Sequence, residues 1–351
     1  MAYTDIDDPS AFFNSVLWTG NGSGGRNITG VGFRPDLVWI KRRSAVENHV
    51  LNDAVRGVPK NLYSSSAQAE DTGSLMSAII SDGFTVQTDA SVNVDGSTYV
   101  AWNWKAETSF SNDASSTSVG TIDSVGSVNT DAGFSIQTWT GTGSGGTIAH
   151  GLGAVPGFMI VKNRSDGGRN WPVYFGDRTK YMYLSSTDAQ ANAGTIIWNN
   201  TTPTSTVFSV GNDNGVNESS KNYVGYVFAE KKGYSKFGSY IGSGATPGSF
   251  SNLGFKPAFL LVKEKDGADG WGLYDNKRNP SNTTSFLLQA QSTDADSNAA
   301  ANSIDFLSNG FRVCTSGSQG NFINESGKTY IYAAFAEQPF VTSTGVPATA
   351  R

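Results

Sequence analysis

The chain has 351 residues and a formal net charge of −5, and only 16% of its residues are charged while glycine occurs 41 times. Nucleic-acid-binding proteins concentrate Lys and Arg on one face, and no basic stripe is present in this sequence, so no nucleic-acid partner is expected. No apolar run approaches the ~18 residues that a membrane span requires, so membrane insertion is not expected either.

The amino-terminal stretch, residues 1–8 (MAYTDIDD), is acidic and polar and lacks the apolar core of a signal peptide. A soluble protein made in a cytoplasm is therefore expected. The single cysteine, Cys314, can form no intrachain disulfide, and we interpret it as an unreactive strand residue.

A block made of a Gly/Pro turn and an apolar run ending on lysine occurs three times. The three blocks are GFRPDLVWIK at 32–41, GAVPGFMIVK at 153–162 and GFKPAFLLVK at 254–263. Each is preceded by an aromatic residue and a Gly/Ser turn, and each is followed by an aromatic strand and a carboxylate. Because start, middle and end recur in the same order, the pattern predicts three copies of a whole domain.

The predicted domains are residues 1–107, 108–230 and 231–338. Short runs of β-branched and aromatic residues between Gly, Asn and Ser predict an all-β chain of three tandem β-sandwich (jelly-roll-like) domains, with three small cores rather than one large one. Residues 108–132 are predicted to be a linker, and 339–351 a tail that reaches out to dock on a partner chain. The repeat core is predicted to contain Pro35, Pro156, Pro257, Trp39 and Phe259.

Catalytic and cofactor motifs are weak in this sequence. The GxGxxG patterns at 20–25 and 141–146 precede further strand rather than a helix, so we interpret them as hairpin turns and expect no cofactor. The two histidines, His49 and His150, lie at different places in their copies, and therefore neither a metal site nor a Ser-His-Asp triad is expected. Paired carboxylates for glycoside cleavage remain open, but nothing selects one pair.

Two further patterns are interpreted as structural. The run 212–218 (NDNGVNE) has oxygen ligands at alternate positions but lacks the full calcium-loop pattern, and an Asx-rich turn explains it better. Asp and Arg recur together near 53–56, 177–178 and 275–278, which suggests a surface turn held by an ion pair.

The aromatic residues suggest binding. Aromatic faces close to amides and carboxylates bind sugars in many β-sandwiches, by stacking on the ring while the polar groups take the hydroxyls. Of the eight tryptophans, Trp171 and Trp271 each follow a Gly/Asp loop and are predicted to be exposed. Together with Asn170 and Asp269 they are the candidate ligand-binding residues.

The opening MAYTDIDDPSAFF at 1–13, the LWTG that follows at 17–20, and the block PDLVWIK at 35–41 resemble a known group of proteins. Tailed bacteriophages, especially marine and cyanobacterial ones, carry proteins with one or several copies of this uncharacterised β-domain, often labelled as tail-fibre or structural proteins. The resemblance implies a virion component made in the host cytoplasm, with other virion proteins as partners. It supplies no catalytic residues.

Three functions follow from these observations. The first is a non-enzymatic tail-fibre or tail-associated protein that forms a homo-oligomer, with a trimer as one option, and attaches to host-surface glycan. The second is a non-catalytic capsid decoration or fibre-anchoring protein. The third is a polysaccharide depolymerase, which would lose cleavage when one carboxylate is replaced.

Overall fold

The computed structural model describes residues 4–315 and 322–349. These residues form 26 strands, one four-residue α-helix and two short 3-10 helices, and the strands pair in antiparallel sheets. The chain is therefore an all-β protein, as its sequence predicted. Residues 1–107, 108–230 and 231–338 are here called segments 1, 2 and 3.

Segment 1 forms a four-stranded and a three-stranded sheet. After the 3-10 helix Pro9–Ala11, its strands are β1 (Phe13–Thr19), β2 (Arg26–Thr29), β3 (Leu37–Arg42), β4 (His49–Asp53), β5 (Met76–Ile80), β6 (Gly83–Val86) and β7 (Thr98–Trp104). The larger sheet has the order β1-β7-β3-β4 and the smaller one β2-β6-β5. Side chains of both sheets meet in one hydrophobic cluster, so the segment is sandwich-like.

Segment 2 forms an eight-stranded and a two-stranded sheet. Its elements are β8 (Thr108–Asn112), α1 (Ala114–Thr117), β9 (Ser124–Asn129), β10 (Phe134–Thr140), β11 (Gly146–Ala149), β12 (Phe158–Asn163), β13 (Pro172–Phe175), β14 (Lys180–Tyr183), β15 (Ala191–Asn192), β16 (Val207–Val210) and β17 (Asn222–Phe228). The orders are β15-β14-β13-β12-β17-β10-β9-β8 and β11-β16.

The prediction of a linker at 108–132 is wrong. Strand β9 pairs along β10, from Thr138↔Val125 to Phe134↔Asn129, and β8 pairs with β9. The stretch is poor in large apolar residues, but one face of β9 buries Val128 and the backbone of β10 offers a free edge, so it extends the sheet.

Segment 3 forms a six-stranded and a three-stranded sheet. Its strands are β18 (Ser235–Ile241), β19 (Phe250–Asn252), β20 (Phe255–Glu264), β21 (Gly272–Asp275), β22 (Phe286–Gln289), β23 (Ser297–Asn298), β24 (Ile304–Leu307), β25 (Gly310–Val313) and β26 (Thr329–Pro339), with a 3-10 helix at Ala300–Asn302. The orders are β18-β26-β20-β21-β22-β23 and β19-β25-β24. Cys314 directly follows β25.

The main sheets of the three segments contain the same four-strand arrangement. The strand order is β1-β7-β3-β4 in segment 1, β10-β17-β12-β13 in segment 2 and β18-β26-β20-β21 in segment 3. The pairs at the centre of these sheets are Leu37↔Trp104, Phe158↔Phe228 and Phe259↔Phe335. These registers allow positions in the three segments to be compared residue by residue.

The inner faces of the three main sheets share one hydrophobic core, which the prediction of three small cores did not include, while segments 1 and 2 each also have a cluster of their own. The largest cluster contains residues of all three segments. At its centre the rings of Trp104, Phe228 and Phe335 contact one another, with centroids 6.4, 5.5 and 5.6 Å apart, around a cavity of ≈ 20 Å³. Central strands buried on both faces require this second layer of cover.

The predicted repeat-core residues lie in the interior. Pro35, Pro156, Pro257, Trp39 and Phe259 are all buried, the prolines at the start of the third strand of each main sheet and the aromatic rings within it.

The carboxy-terminal stretch folds back on its own chain as far as the structure describes it, contrary to the predicted outward tail. Val341 bridges to Pro347, and the backbone N–H of Phe340 donates to the carbonyl of Gly254 at 3.1 Å. The N–H of Ser343 donates to the Asp7 carboxylate at 2.6 Å. These bonds join the two ends of the chain instead of extending one of them.

Candidate functional site

The two tryptophans predicted to be exposed are buried in contacts between segments. Trp171 is 0% and Trp271 is 1% exposed. The indole N–H of Trp171 donates to the carbonyl oxygens of Tyr63 and Ser66 in segment 1, both at 3.1 Å, and that of Trp271 donates to Tyr183 in segment 2 at 2.9 Å. Neither ring has a free face on which a sugar can stack.

The two polar candidates make contacts within their own segments. The amide oxygen of Asn170 accepts a 3.0 Å hydrogen bond from the Ser185 hydroxyl. Asp269 hydrogen bonds to the carboxyl group of Glu264, which is 1% exposed. Burial of Glu264 and this bond raise its pKa to about 7.

The histidines are buried structural residues. His49 Nδ1 accepts a 2.9 Å hydrogen bond from the Trp39 indole. His150 Nδ1 accepts from the N–H of Leu152 at 3.2 Å, and burial lowers the pKa of His150 to about 4. Over residues 4–315 and 322–349, no three or more His, Cys, Asp or Glu side chains are grouped as a metal site would need.

The lysine that ends each repeated block is buried and holds the loop that follows. From Nζ, Lys41 donates to the carbonyl of Ala45 at 3.5 Å, Lys162 to that of Arg169 at 2.6 Å and Lys263 to that of Gly267 at 2.9 Å, all in that loop. Burial lowers the pKa of all three to about 8. They are part of the scaffold.

Three buried asparagines hold the Gly/Ser turns, and sequence reasoning missed them. From Nδ2, Asn93 donates to Ser23, Asn217 to Ser144 and Asn324 to Ala245, at 2.7, 2.6 and 3.0 Å. The glycine-rich runs at 20–25 and 141–146 are turns but not the predicted hairpins, because each leads from a strand of the main sheet to a strand of the smaller sheet. The sequence contains a pattern that could have identified these asparagines, because each stands six residues before a tyrosine, namely Tyr99, Tyr223 and Tyr330.

The contact between segments 1 and 2 contains a buried ion-pair network. Arg56 Nε lies 2.5 Å from Asp53 Oδ2, with both side chains 0% exposed, and the Tyr226 hydroxyl of segment 2 donates to the same oxygen at 2.8 Å. Arg56 also reaches Glu70 at 3.0 Å, and Arg164 of segment 2 binds both oxygens of Glu70 at 2.8 Å. The turn pair predicted to lie on the surface is therefore interior, because a second segment covers it.

The contact between segments 3 and 1 repeats this network. Arg278 Nε lies 2.5 Å from Asp275 Oδ2, which also accepts a 3.1 Å hydrogen bond from the Trp102 indole of segment 1. Arg278 reaches Asp296 at 3.0 Å, and Arg43 of segment 1 lies 2.8 Å from Asp296. Both contacts therefore pair two guanidinium groups with two carboxylates.

Among the described residues, the contact between segments 2 and 3 lacks the acidic half of the network. At equivalent registers, Phe175 replaces the aspartate, and Ala333 replaces the tyrosine or tryptophan. Gln190 replaces the second carboxylate, and its N–H donates to the carbonyl of Lys265 at 2.7 Å, a backbone bond that its counterparts also make. Arg178 is present but exposed, and donates to a threonine hydroxyl.

The missing network leaves an open cleft of ≈ 380 Å³ between segments 2 and 3. Three half-buried aromatic rings line it, Phe175 and Tyr181 from segment 2 and Phe237 from segment 3. Polar side chains stand beside these rings: Asp177, Lys180, Gln190, Ser239 and Lys265.

Neighbouring rings hold the cleft aromatics in place. Phe237 stacks on Phe158 with centroids 5.6 Å apart, and Phe175 meets the same ring edge-on at 5.9 Å. Tyr181 meets Tyr183 edge-on at 5.1 Å. An aromatic wall positioned before binding loses little side-chain entropy when a flat ligand stacks on it.

The antiparallel sheets, packed in sandwich-like pairs around a shared aromatic core, define the class as an all-β protein. The cleft between segments 2 and 3 is its candidate binding site. A family model described as Domain of unknown function (DUF7483) matches residues 8–339, and the chain belongs to this family. The match spans all three segments. No curated protein matches the chain. Among the described residues, no helix has the length and apolar character to cross a membrane.

Proposed function

We propose that this protein is a non-catalytic virion protein, tail-associated, that attaches to host-surface glycan through the cleft between segments 2 and 3. The observation that carries the binding role is that cleft, where Phe175, Tyr181 and Phe237 stand beside amide, hydroxyl and charged groups. Stacking on aromatic rings with hydroxyls bound by polar groups is how saccharides are held. The virion setting is supported by the resemblance of the opening and of the first block.

We also propose that segments 1, 2 and 3 are three copies of one β-sandwich domain. The shared strand order supports this, as does a stacked aromatic pair between the first and last strand of each main sheet. The pairs Trp18–Tyr99, Trp139–Tyr223 and Tyr240–Tyr330 have centroids 5.2, 5.5 and 5.0 Å apart. The copies have diverged most where segment 3 meets segment 2.

Binding is proposed rather than hydrolysis because of the carboxylates. Glycosidic cleavage uses two of them, one on each side of the scissile bond. Among the described residues that line the cleft, Asp177 is the one carboxylate. It already accepts hydrogen bonds from the N–H and hydroxyl of Thr179, at 2.8 and 2.6 Å, as an acceptor that closes a turn does.

The binding role is tested by screening the purified full chain against surface polysaccharides of bacterial hosts, followed by affinity measurement for the best ligand. Replacing Tyr181 with alanine should weaken binding about two- to tenfold, since one stacked ring contributes ~0.5–1.5 kcal/mol. Phe250→Ala is the matched control, because Phe250 is 48% exposed and lies outside the cleft. Equal loss in both variants, or no glycan bound at all, would contradict the proposal.

The virion setting is tested separately by labelling intact particles with an antibody against this chain. Label at the tail supports the proposal. Label spread over the capsid favours the decoration role, and unlabelled particles contradict both.

A further inference from the structure

We propose that the cleft selects a saccharide that carries a negative charge, and that Lys265 receives the anionic group. This inference rests on the proposed function of the cleft as a glycan site. It names the class of sugar, which the aromatic wall alone does not.

The first step is the charge balance of the two closed contacts. Each contains two arginines and two carboxylates within ion-pair distance, and each is therefore neutral. The groups are Arg56, Arg164, Asp53 and Glu70 in one contact, and Arg278, Arg43, Asp275 and Asp296 in the other.

The second step is the charge balance of the open contact. Lys265 stands at the position of Arg43 and Arg164, two residues after the buried lysine of its block. In the part of the chain that the structure describes, the ion pairs of those two arginines have no counterpart at Lys265. Its partner position holds Gln190, whose amide instead donates to Asp266 at 3.2 Å. A cation has been kept while its carboxylate has been lost.

A second cation lies along the same cleft. Lys180 lines it, donates from Nζ to the amide oxygen of Asn192 at 2.7 Å, and helps to lower the pKa of the Asp177 carboxyl group through its charge. With Asp177 as the one lining carboxylate, the described lining residues carry two positive charges and one negative, a net charge of +1 in a chain whose net charge is −5. The lining residues therefore differ in sign from the molecule as a whole, while the Asp266 carboxylate, bound by Gln190, lies outside the lining.

The position and the partial burial of Lys265 allow its charge to bind an anionic ligand. Lys265 is half-buried and lines the cleft from segment 3, while Tyr181 lines it from segment 2, so an anion bound at Lys265 is partly shielded from water. Charge-assisted hydrogen bonds in such a setting are about twice as strong as neutral ones. A sugar that stacks on the aromatic wall and offers a carboxylate or sulfate to Lys265 uses both features of the cleft.

The test compares three oligosaccharides of equal length by isothermal titration calorimetry on the full chain. They are a neutral galacto-oligosaccharide, an oligogalacturonate and a sulfated galactan oligosaccharide. We expect at least one acidic ligand to bind about tenfold more tightly than the neutral one, with a preference that falls as salt is raised. The two acidic arms distinguish a carboxylate from a sulfate as the group received.

Two variants test the assignment of Lys265. Lys265→Gln should abolish the preference for the acidic ligand, weakening acidic binding more than neutral binding, and Gln190→Glu should do the same by supplying the missing carboxylate. Lys277→Gln is the matched control, because Lys277 is exposed and does not line the cleft. Melting curves of the variants show whether each remains folded.

The outcomes separate this inference from the proposed function. If the neutral ligand binds as tightly as the acidic ones, or if Lys265→Gln weakens all three equally, the charge selection is wrong while glycan binding stands. If the control variant loses the preference as fully as Lys265→Gln, the assignment of Lys265 is overturned. If none of the oligosaccharides or host polysaccharides binds, both fall.

Discussion

The hydroxyl of Tyr226 donates a 2.8 Å hydrogen bond to the carboxylate of Asp53, across the contact between segments 2 and 1. Both side chains are buried, and the same carboxylate neutralises Arg56. Removing either partner would leave a charge or a polar group without compensation in the interior, so the two segments depend on each other for stability.

Tyr226→Phe should lower the free energy of unfolding by about 1.5–3 kcal/mol, the usual contribution of a hydrogen bond to a charged group. Urea unfolding followed by tryptophan fluorescence measures it. Tyr234→Phe is a matched control, because Tyr234 is equally buried and its hydroxyl has no hydrogen-bond partner among the described residues. Equal stability of the two variants would mean that the Asp53 bond contributes nothing.

Asn217→Asp should destabilise the protein by about 3 kcal/mol or more. Asn217 Nδ2 donates to the carbonyl oxygens of Ser144 and Gly211 at 2.6 and 2.9 Å, and a carboxylate there would face two acceptors without water. Asn222→Asp is the control, since Asn222 is exposed and uses its side-chain oxygen to accept from Thr140. The difference in urea midpoint between the two variants is the measurement, and a difference near zero would contradict the role of Asn217.

Stability should fall as pH rises from about 4.5 to about 7 because of Glu264. Its pKa is raised from the ordinary value of 4.5 to about 7, first by burial and then by its bond to Asp269. The folded state therefore binds a proton that the unfolded state has lost, and this contribution is present at low pH and disappears through pH 7. Melting temperatures at pH 4–8 should show a smaller decline in Glu264→Gln than in the wild type. Glu325→Gln, at an exposed position, should retain the full decline.

Segment 3 expressed alone, as residues 231–349, should not fold to a monomeric native state. Its inner face, including Phe259 and Phe335, is covered by aromatic residues of the other segments, and isolation would expose that face to water. We expect aggregation on size-exclusion chromatography or strong binding of a hydrophobic dye. A monomer that unfolds cooperatively would show instead that the shared core is dispensable.

Much of the fold follows from local sequence. The run Leu37–Ile40 is apolar without alternation, as a strand buried on both faces must be, and the turn that precedes it is marked by Pro35. The all-β class and the antiparallel strands at the repeated blocks were therefore predictable. What covers the second face of such a strand is not encoded locally, and for this reason the shared core was missed.

The exposure of Trp171 was mispredicted for a similar reason. A Gly/Asp loop indicates a turn, but its partner Tyr63 is 108 residues away in sequence, and nothing near Trp171 indicates that contact. The sequence does contain a pattern that indicates the cleft. Aspartate precedes arginine by three residues at Asp53 and Asp275, whereas the equivalent position before Arg178 is Phe175. Alignment on the arginine rather than on the nearest aspartate would have found the exception.

The closed cycle of contacts lies within a single polypeptide, and this determines how the cleft arises. In a ring of three identical subunits, glutamine in place of a carboxylate would appear at every junction and weaken all of them together. Here Gln190 alters one junction, while the other two keep their buried ion pairs. Under the proposed function, each chain contributes one such site between segments 2 and 3, so the number of these sites in any assembly equals the number of chains it contains.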